Sequence, residues 1–207
     1  MELNTLKDLY LEELRDLYSA ENQILKALPK MIKSASHPEL QRAFTRHQRE
    51  TERQVQRLER IFKDLGESPR GKKCEGMEGL LEEGKDLIAE KPDADVLDAG
   101  LIAAAQHVEH YEMAGYGTVR TYARQLGHER HAELLQQTLD EEKATDLLLT
   151  QIAERSVNVD AEEPGDGMTA RPAARKRAAG TRAAGKRAMG SRSAGRRSTR
   201  RTTRARA

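Results

Sequence analysis

Ala103-Ala-Ala-Gln106-His-Val-Glu109-His-Tyr-Glu112-Met113 is the stretch on which the fold turns. Glu109 and Glu112 stand one helical turn apart in a segment otherwise suited to burial. Stepping outward through Ala105, Glu109, Glu112, Tyr116, Val119, Ala123 and Leu126, the gaps alternate between four and three. That alternation traces one face of a helix. The two glutamates therefore interrupt an apolar stripe from within it. A buried carboxylate is costly unless it is paired, protonated or bound to a cation.

Three other segments show the same pattern. A helix from about Thr5 to Ser34, capped by Thr5 with Asp8, carries the stripe Leu6, Tyr10, Leu14 (or Glu13), Leu17, Glu21, Ile24, Leu28 and Ile32. Pro29 is expected to bend its last turn. Ser36-His-Pro-Glu39 has the form of a capping box opening a second helix, which Gly66 stops near Leu65. Its stripe is Leu40, Ala43/Phe44, His47, Glu50, Gln54, Leu58, Ile61 and Leu65, polar in the middle and apolar at both ends. A third long helix opens at Pro92 and Asp93, contains the deciding stretch and ends at Gly127. Gly115 and Gly117 within it predict close approach of a neighbour. The fourth long helix, His128 to about Arg155, carries Leu135, Leu139, Glu142, Asp146, Leu149 and Ile152/Ala153.

In an antiparallel bundle the midpoints of four helices share one layer. Glu21, Glu50, Glu109, Glu112, Glu142 and Asp146 therefore converge. Like charges in one dry layer cannot all stay ionised unaided. A pair of divalent cations resolves the conflict, which describes a carboxylate-bridged dinuclear centre. Short links join the first helix to the second and the third to the fourth. The longer link between second and third holds a short helix over about 75–90. One long crossover of this kind is the connectivity of ferritin-like bundles. The fold class expected is all-α: a ferritin-like antiparallel four-helix bundle over residues 1–157, with a short extra helix in the crossover between its second and third long helices. Residues 158–207 are expected to form a disordered linker and tail.

The net charge of +2 conceals a division. From Pro164 onward there are 14 Arg and Lys against Asp166 alone, leaving 22 basic and 33 acidic residues before it. The basic run is rich in Ala, Gly and Ser and lacks apolar bulk, which predicts disorder when free. Its Arg175, Lys176, Arg177, Arg182, Lys186, Arg187, Arg192, Arg196, Arg197, Arg200, Arg201, Arg204 and Arg206 suit phosphate neutralisation without base reading. DNA or other nucleic acid is the expected partner of this tail, with the acidic body as the competing one. No signal-type N-terminus and no stretch of roughly 20 apolar residues is present, so no membrane association is expected. The single Cys74 excludes an internal disulfide and suits a reducing cytoplasm, while the basic tail is what makes a nucleoid-associated location the expectation. Cys74 is read as a loop residue without a partner. His107, His110, His128 and His131 are read as surface histidines.

Several motifs together resemble the YciF-like family, a bacterial stress-associated group with a ferritin-like fold. They are Asp16-Leu-Tyr-Ser-Ala-Glu21, His47-Gln-Arg-Glu-Thr-Glu-Arg-Gln54, Gly71-Lys-Lys-Cys-Glu-Gly-Met77, Gln106-His-Val-Glu-His-Tyr-Glu112 and Leu139-Asp-Glu-Glu142. The match runs from about Leu3 to Arg155. The resemblance implies a ferritin-like bundle, a homodimer and kinship with rubrerythrin and ferritin. By the same analogy Glu50 and Glu142 would bridge two metal ions, iron first and manganese second. Glu21, Glu109, Glu112 and Asp146 would be terminal or shared ligands. The pattern departs from di-iron relatives, which carry Glu-x-x-His: Arg53 follows Glu50 at that spacing and Thr145 follows Glu142. The missing role then falls to Gln54, Asp146 or His47, with His47 and Gln54 acting as ligands or as groups behind them. Two functions stand side by side. One is a stress-associated di-metal protein with ferroxidase- or peroxide-type chemistry, tethered to DNA by its tail. The other is a metal-poor dimeric scaffold that binds nucleic acid or a partner without turnover.

Overall fold

Thr5 starts α1, Leu6–Ser34, as the sequence predicts: its hydroxyl accepts the Asp8 N–H and the Asp8 carboxylate accepts the Thr5 N–H at 2.9 Å. This computed structural model describes residues 3–162. The expectations for the basic tail lie outside the described residues. All described residues lie within one compact unit, Met1–Gly167. After α1 come α2 (Pro38–Leu65), α3 (Glu75–Glu90), α4 (Ala94–Gln125) and α5 (Glu129–Ile152). A π-helical turn, Ala153–Val157, leads into a short α6, Asn158–Glu162, so helical structure continues past the point where apolar periodicity gives out. Gly66 and Gly127, at φ 69° and 77°, end α2 and α4 in the left-handed region, where a side chain would be strained. Among the described residues no helix is long and apolar enough to cross a membrane.

Two apolar clusters set the directions of the long helices. One joins Ile24 and Leu28 of α1, Leu40 and Phe44 of α2, Leu101 and Ile102 of α4, and Leu149 and Ile152 of α5. The other joins Tyr10 and Leu14, Leu58 and Ile61, Val119 and Ala123, and Leu135 and Leu139. Late residues of α1 and α5 thus meet early residues of α2 and α4. So α1 runs parallel to α5, and α2 parallel to α4. Parallel α2 and α4 cannot be joined by a tight turn. The chain must travel back along the bundle, and the segment carrying α3 does so, packed on α1 and α4. This is the ferritin-like connectivity the sequence predicts. Between the two dry ends lies the polar layer.

Local reading and structure diverge at two places. The capping box expected at Ser36 and Glu39 does not form. The α2 N-cap is His37, which makes no side-chain capping bond. Asp98, buried on α4, accepts instead from the Ser36 N–H (2.8 Å), the Ser36 hydroxyl (2.6 Å) and the His37 N–H (2.7 Å). Glu39 turns outward to Arg155. A carboxylate from across the bundle, ideally placed for three donors, outcompetes the local partner. Asp98→Ala is accordingly expected to cost about 2 kcal/mol, since three donors lose a charged acceptor. The check is a lower urea midpoint at unchanged m-value. Gly115 does mark a close approach: a Cβ there would lie 2.7 Å from Leu17 Cδ2 of α1. Gly117, expected to share that role, faces open space.

Candidate metal centre

Between the apolar ends, α1 contributes Glu21, α2 His47, Glu50 and Gln54, α4 Glu109 and Glu112, and α5 Glu142. None is more than 6% exposed. Steps of three and four along α2 and α4 aim several groups from each helix at one height. His47, Glu109, Glu112 and Glu142 each offer a ligand atom, and these four atoms lie within 4.8 Å of one another. Ligands that share one ion at bond lengths of roughly 2.0–2.6 Å are spaced on this scale. The His47 Nε2 stands 3.4 Å from Glu109 Oε1, and its Nδ1 stands 4.0 Å from Glu142 Oε2.

The satisfaction of polar atoms supports a cation. Among the described residues, eleven buried side-chain nitrogens and oxygens lack a hydrogen-bond partner. Nine of these belong to the layer: both nitrogens of His47, both oxygens of Glu112, and one oxygen each of Glu21, Glu50, Gln54, Glu109 and Glu142. Orphaned polar atoms are rare in folded interiors and cost about 1–3 kcal/mol each. Their concentration in one layer, nearly all acceptors, is what a divalent ion satisfies. The donor set of carboxylates with one imidazole suits iron, manganese or zinc.

Electrostatics agree. Burial, then Glu142, pushes the Glu109 carboxyl well above its usual range, and burial, then Glu21, does the same for Glu112. Burial and Glu142 raise Glu21 against the opposing hydrogen bond from Tyr116. Burial lifts Glu142 to about 7. Burial also pushes His47 down to about 4, so its imidazole is neutral near pH 7, the form that ligates. Without a cation, burial favours the protonated form of these four carboxyls. A bound metal reverses that preference by supplying the missing charge.

The surrounding contacts sort the expected ligands. Glu109, Glu112 and Glu142 are brought together. His47, open in the sequence between ligand and supporting group, stands among them. Glu21 borders the group and accepts from the Tyr116 hydroxyl. Glu50 lies at the outer side: Arg46 Nε donates to its Oε1 at 2.9 Å, while its Oε2 is buried and unpartnered. Gln54 stands behind Glu142, donating to it and to Glu141. Asp146 is not among the grouped atoms. It is half-buried on the flank, where Gln106 donates to it at 3.0 Å and His110 lies 3.3 Å away. Thr145 occupies the buried stripe position instead.

Other contacts had no counterpart in the sequence reading. Arg57 grips Glu141 with two bonds of 2.6 and 2.7 Å beside the layer. Cys74 is buried rather than partnerless: its Sγ lies 2.9 Å from both Asp16 Oδ2 and the Tyr111 hydroxyl, and it caps α3 by accepting the Met77 N–H. Tyr111 donates to the same Asp16 oxygen at 2.6 Å. His131 is buried against Tyr10 rather than exposed. Tyr116, four residues after Glu112 on the same stripe, donates its hydroxyl to Glu21. The Cys74 contacts join three segments distant in sequence and leave no periodic signal.

The family model described as "Domain of unknown function (DUF892)" matches residues 5–162. Protein YciF of Escherichia coli (strain K12) is 44% identical over 163 residues, covering 78% of this chain and 98% of that protein. The crystal structure of the E. coli stress protein YciF superposes with a TM-score of 0.73, covering 75% of this chain and 99% of that one. YcfI from Rhodopseudomonas palustris gives a TM-score of 0.71 at 45% identity, covering 73% and 97%.

Proposed function

This chain belongs to the DUF892 family, and on that premise we propose that its bundle binds divalent metal, iron before manganese, and serves in stress defence. The observation that carries the reading is the group of four ligand atoms set among orphaned buried acceptors. His47, Glu109, Glu112 and Glu142 hold the first ion. Glu21 and Glu50, each with a free buried oxygen, extend the donor set toward a second. Redox-active ions held there supply electron transfer to oxygen or peroxide. The chain's own residues supply the setting. Gln54 orients Glu142, Tyr116 orients Glu21, and Arg57 holds the Glu141 charge aside. The acidic body raises the local concentration of cations. The stress role rests on the kinship with YciF.

Purified full-length protein from iron- or manganese-supplemented cells is expected to hold one to two ions per chain. Near-zero iron, manganese and zinc, with a melting temperature indifferent to added metal, would sink the reading. A scaffold without turnover is the competing function. It is favoured by the grip of Arg46 and Arg53 on Glu50, which supplies neighbouring positive charge without a metal.

The basic tail, residues 164–207, is proposed to tether the bundle to nucleic acid through phosphate contacts. Its 14 Arg and Lys predict a steep salt dependence, with a log–log slope of roughly −0.9 for each phosphate neutralised. A chain ending at Glu163 is expected to lose duplex binding at low salt. Equal affinity of truncated and full chains would reject the tether.

A further inference from the structure

A groove of about 350 Å³ opens between α1, α3 and α4, on the flank of the bundle. Ala27 and Met31 of α1, Leu81 and Ile88 of α3, and Ala104 and Val108 of α4 form its apolar wall. A smaller cavity of about 20 Å³ shares Ala27, Met31, Leu81 and Val108 with the groove and continues inward to His47 and Glu109. One water-sized molecule needs roughly 10–15 Å³. The inner cavity therefore stops anything larger, and a chain-like ligand is confined to the groove.

The mouth of the groove is charged. Lys26 and Lys30 lie one turn apart on α1, both exposed, and neither forms an ion pair among the described residues. The other charges at the mouth are neutralised: Lys85 pairs with Glu82 at 2.7 Å, and Glu78 with Lys73 at 2.6 Å. Two free ammonium groups thus border an apolar hollow, on a body where acids outnumber bases. An uncharged apolar ligand leaves those lysines unused. A small polar anion leaves the apolar walls unused. An amphiphilic anion uses both.

We propose that this groove binds a free medium-chain carboxylate. Its head lies between Lys26 and Lys30, and its chain runs along Met31, Leu81, Ile88 and Val108. Small-molecule pockets span roughly 300–1,000 Å³. At the lower end of that range the groove holds a single chain and excludes a two-chain lipid.

The test is calorimetric titration of full-length, metal-free protein with decanoate and with decanol, which has the same chain and no charge. Decanoate is expected to bind one per chain, at least fivefold more tightly than decanol at low salt. Lys26→Glu with Lys30→Glu is expected to weaken decanoate tenfold or more and leave decanol unchanged. Both lysines are exposed and outside the metal layer, so this variant keeps the fold. Ala27→Phe fills the groove and should abolish both ligands at unchanged helical content. Equal affinity for the two ligands overturns the proposal, as does charge reversal without effect. Binding to anionic vesicles but not to decanoate also overturns it. So does a dimer, seen by sedimentation, that Ala27→Phe dissociates while decanoate fails to bind. The titration is done without metal, so its outcome is separate from that of the metal-content measurement.

Discussion

Glu142→Gln is expected to make the metal-free protein more stable while removing its capacity to hold metal. The stability gain follows from burial. Glu142 is fully buried and its folded pKa is raised from 4.5 to about 7. At pH 8 the wild-type chain must therefore keep an ionised carboxylate where the fold prefers a neutral one. Each pKa unit corresponds to about 1.4 kcal/mol, so the unfavourable contribution is on the order of 3 kcal/mol. A glutamine has nearly the same shape, retains an oxygen to accept from Gln54, and carries no charge. Urea denaturation of metal-free protein at pH 8 should show a gain approaching that size. The gain should shrink at pH 6 and vanish below about pH 4.5. With metal the order reverses. The variant lacks the carboxylate that faces His47 and Glu109, and elemental analysis should find its metal content well below that of the wild type. Glu141→Gln provides the contrast. Burial pushes Glu141 up, but the Arg57 hydrogen bonds outweigh it and hold this carboxyl below its usual range. That neighbouring substitution should destabilise instead. A Glu142→Gln chain that is less stable without metal and still binds metal stoichiometrically would remove Glu142 from the centre.

The polar layer was legible in the sequence because helix period is a strong signal. Glu21, Glu50, Glu109, Glu112 and Glu142 each break an apolar stripe near its midpoint, and the structure buries all five. The bundle's connectivity was legible from loop lengths. What was lost depends on partners that are distant in sequence. From Glu142, steps of three and four both approximate the helical period. Only packing against α2 and α4 decides that Thr145 faces inward and Asp146 outward. Ser36 and Glu39 formed a plausible local cap, yet Asp98, some 62 residues away, holds Ser36. Cys74 looked solitary because Asp16 and Tyr111 meet it only after α3 has folded across α1 and α4. His47 and Gln54 occupy the same stripe. Tertiary geometry alone separates a nitrogen that faces three carboxylates from an amide that supports one of them.

Stability without metal is expected to fall as pH rises from about 4.5 through 7, while metal affinity rises over the same interval. A carboxyl whose folded pKa is raised stabilises the fold below its unfolded pKa, and that contribution is lost as pH climbs through the folded value. Glu142, raised to about 7, places the window. Glu21, Glu109 and Glu112 are raised in the same direction and deepen the loss. His47 acts oppositely. Its folded pKa is lowered to about 4, so its contribution grows as pH rises from there toward its unfolded value near 6.5. One imidazole does not offset four carboxyls, and the net slope is negative. Divalent metal requires those carboxyls deprotonated, so binding at pH 7 should release protons to solution. The melting-temperature gap between metal-loaded and metal-free protein should therefore widen steadily from pH 5.5 to 8. Thermal scans of both forms across that range read the gap, and a pH-stat titration with ferrous or manganous ion reads the protons. A metal-free melting temperature that rises across the window, with no proton release on metal addition, would show that the layer is satisfied without a cation.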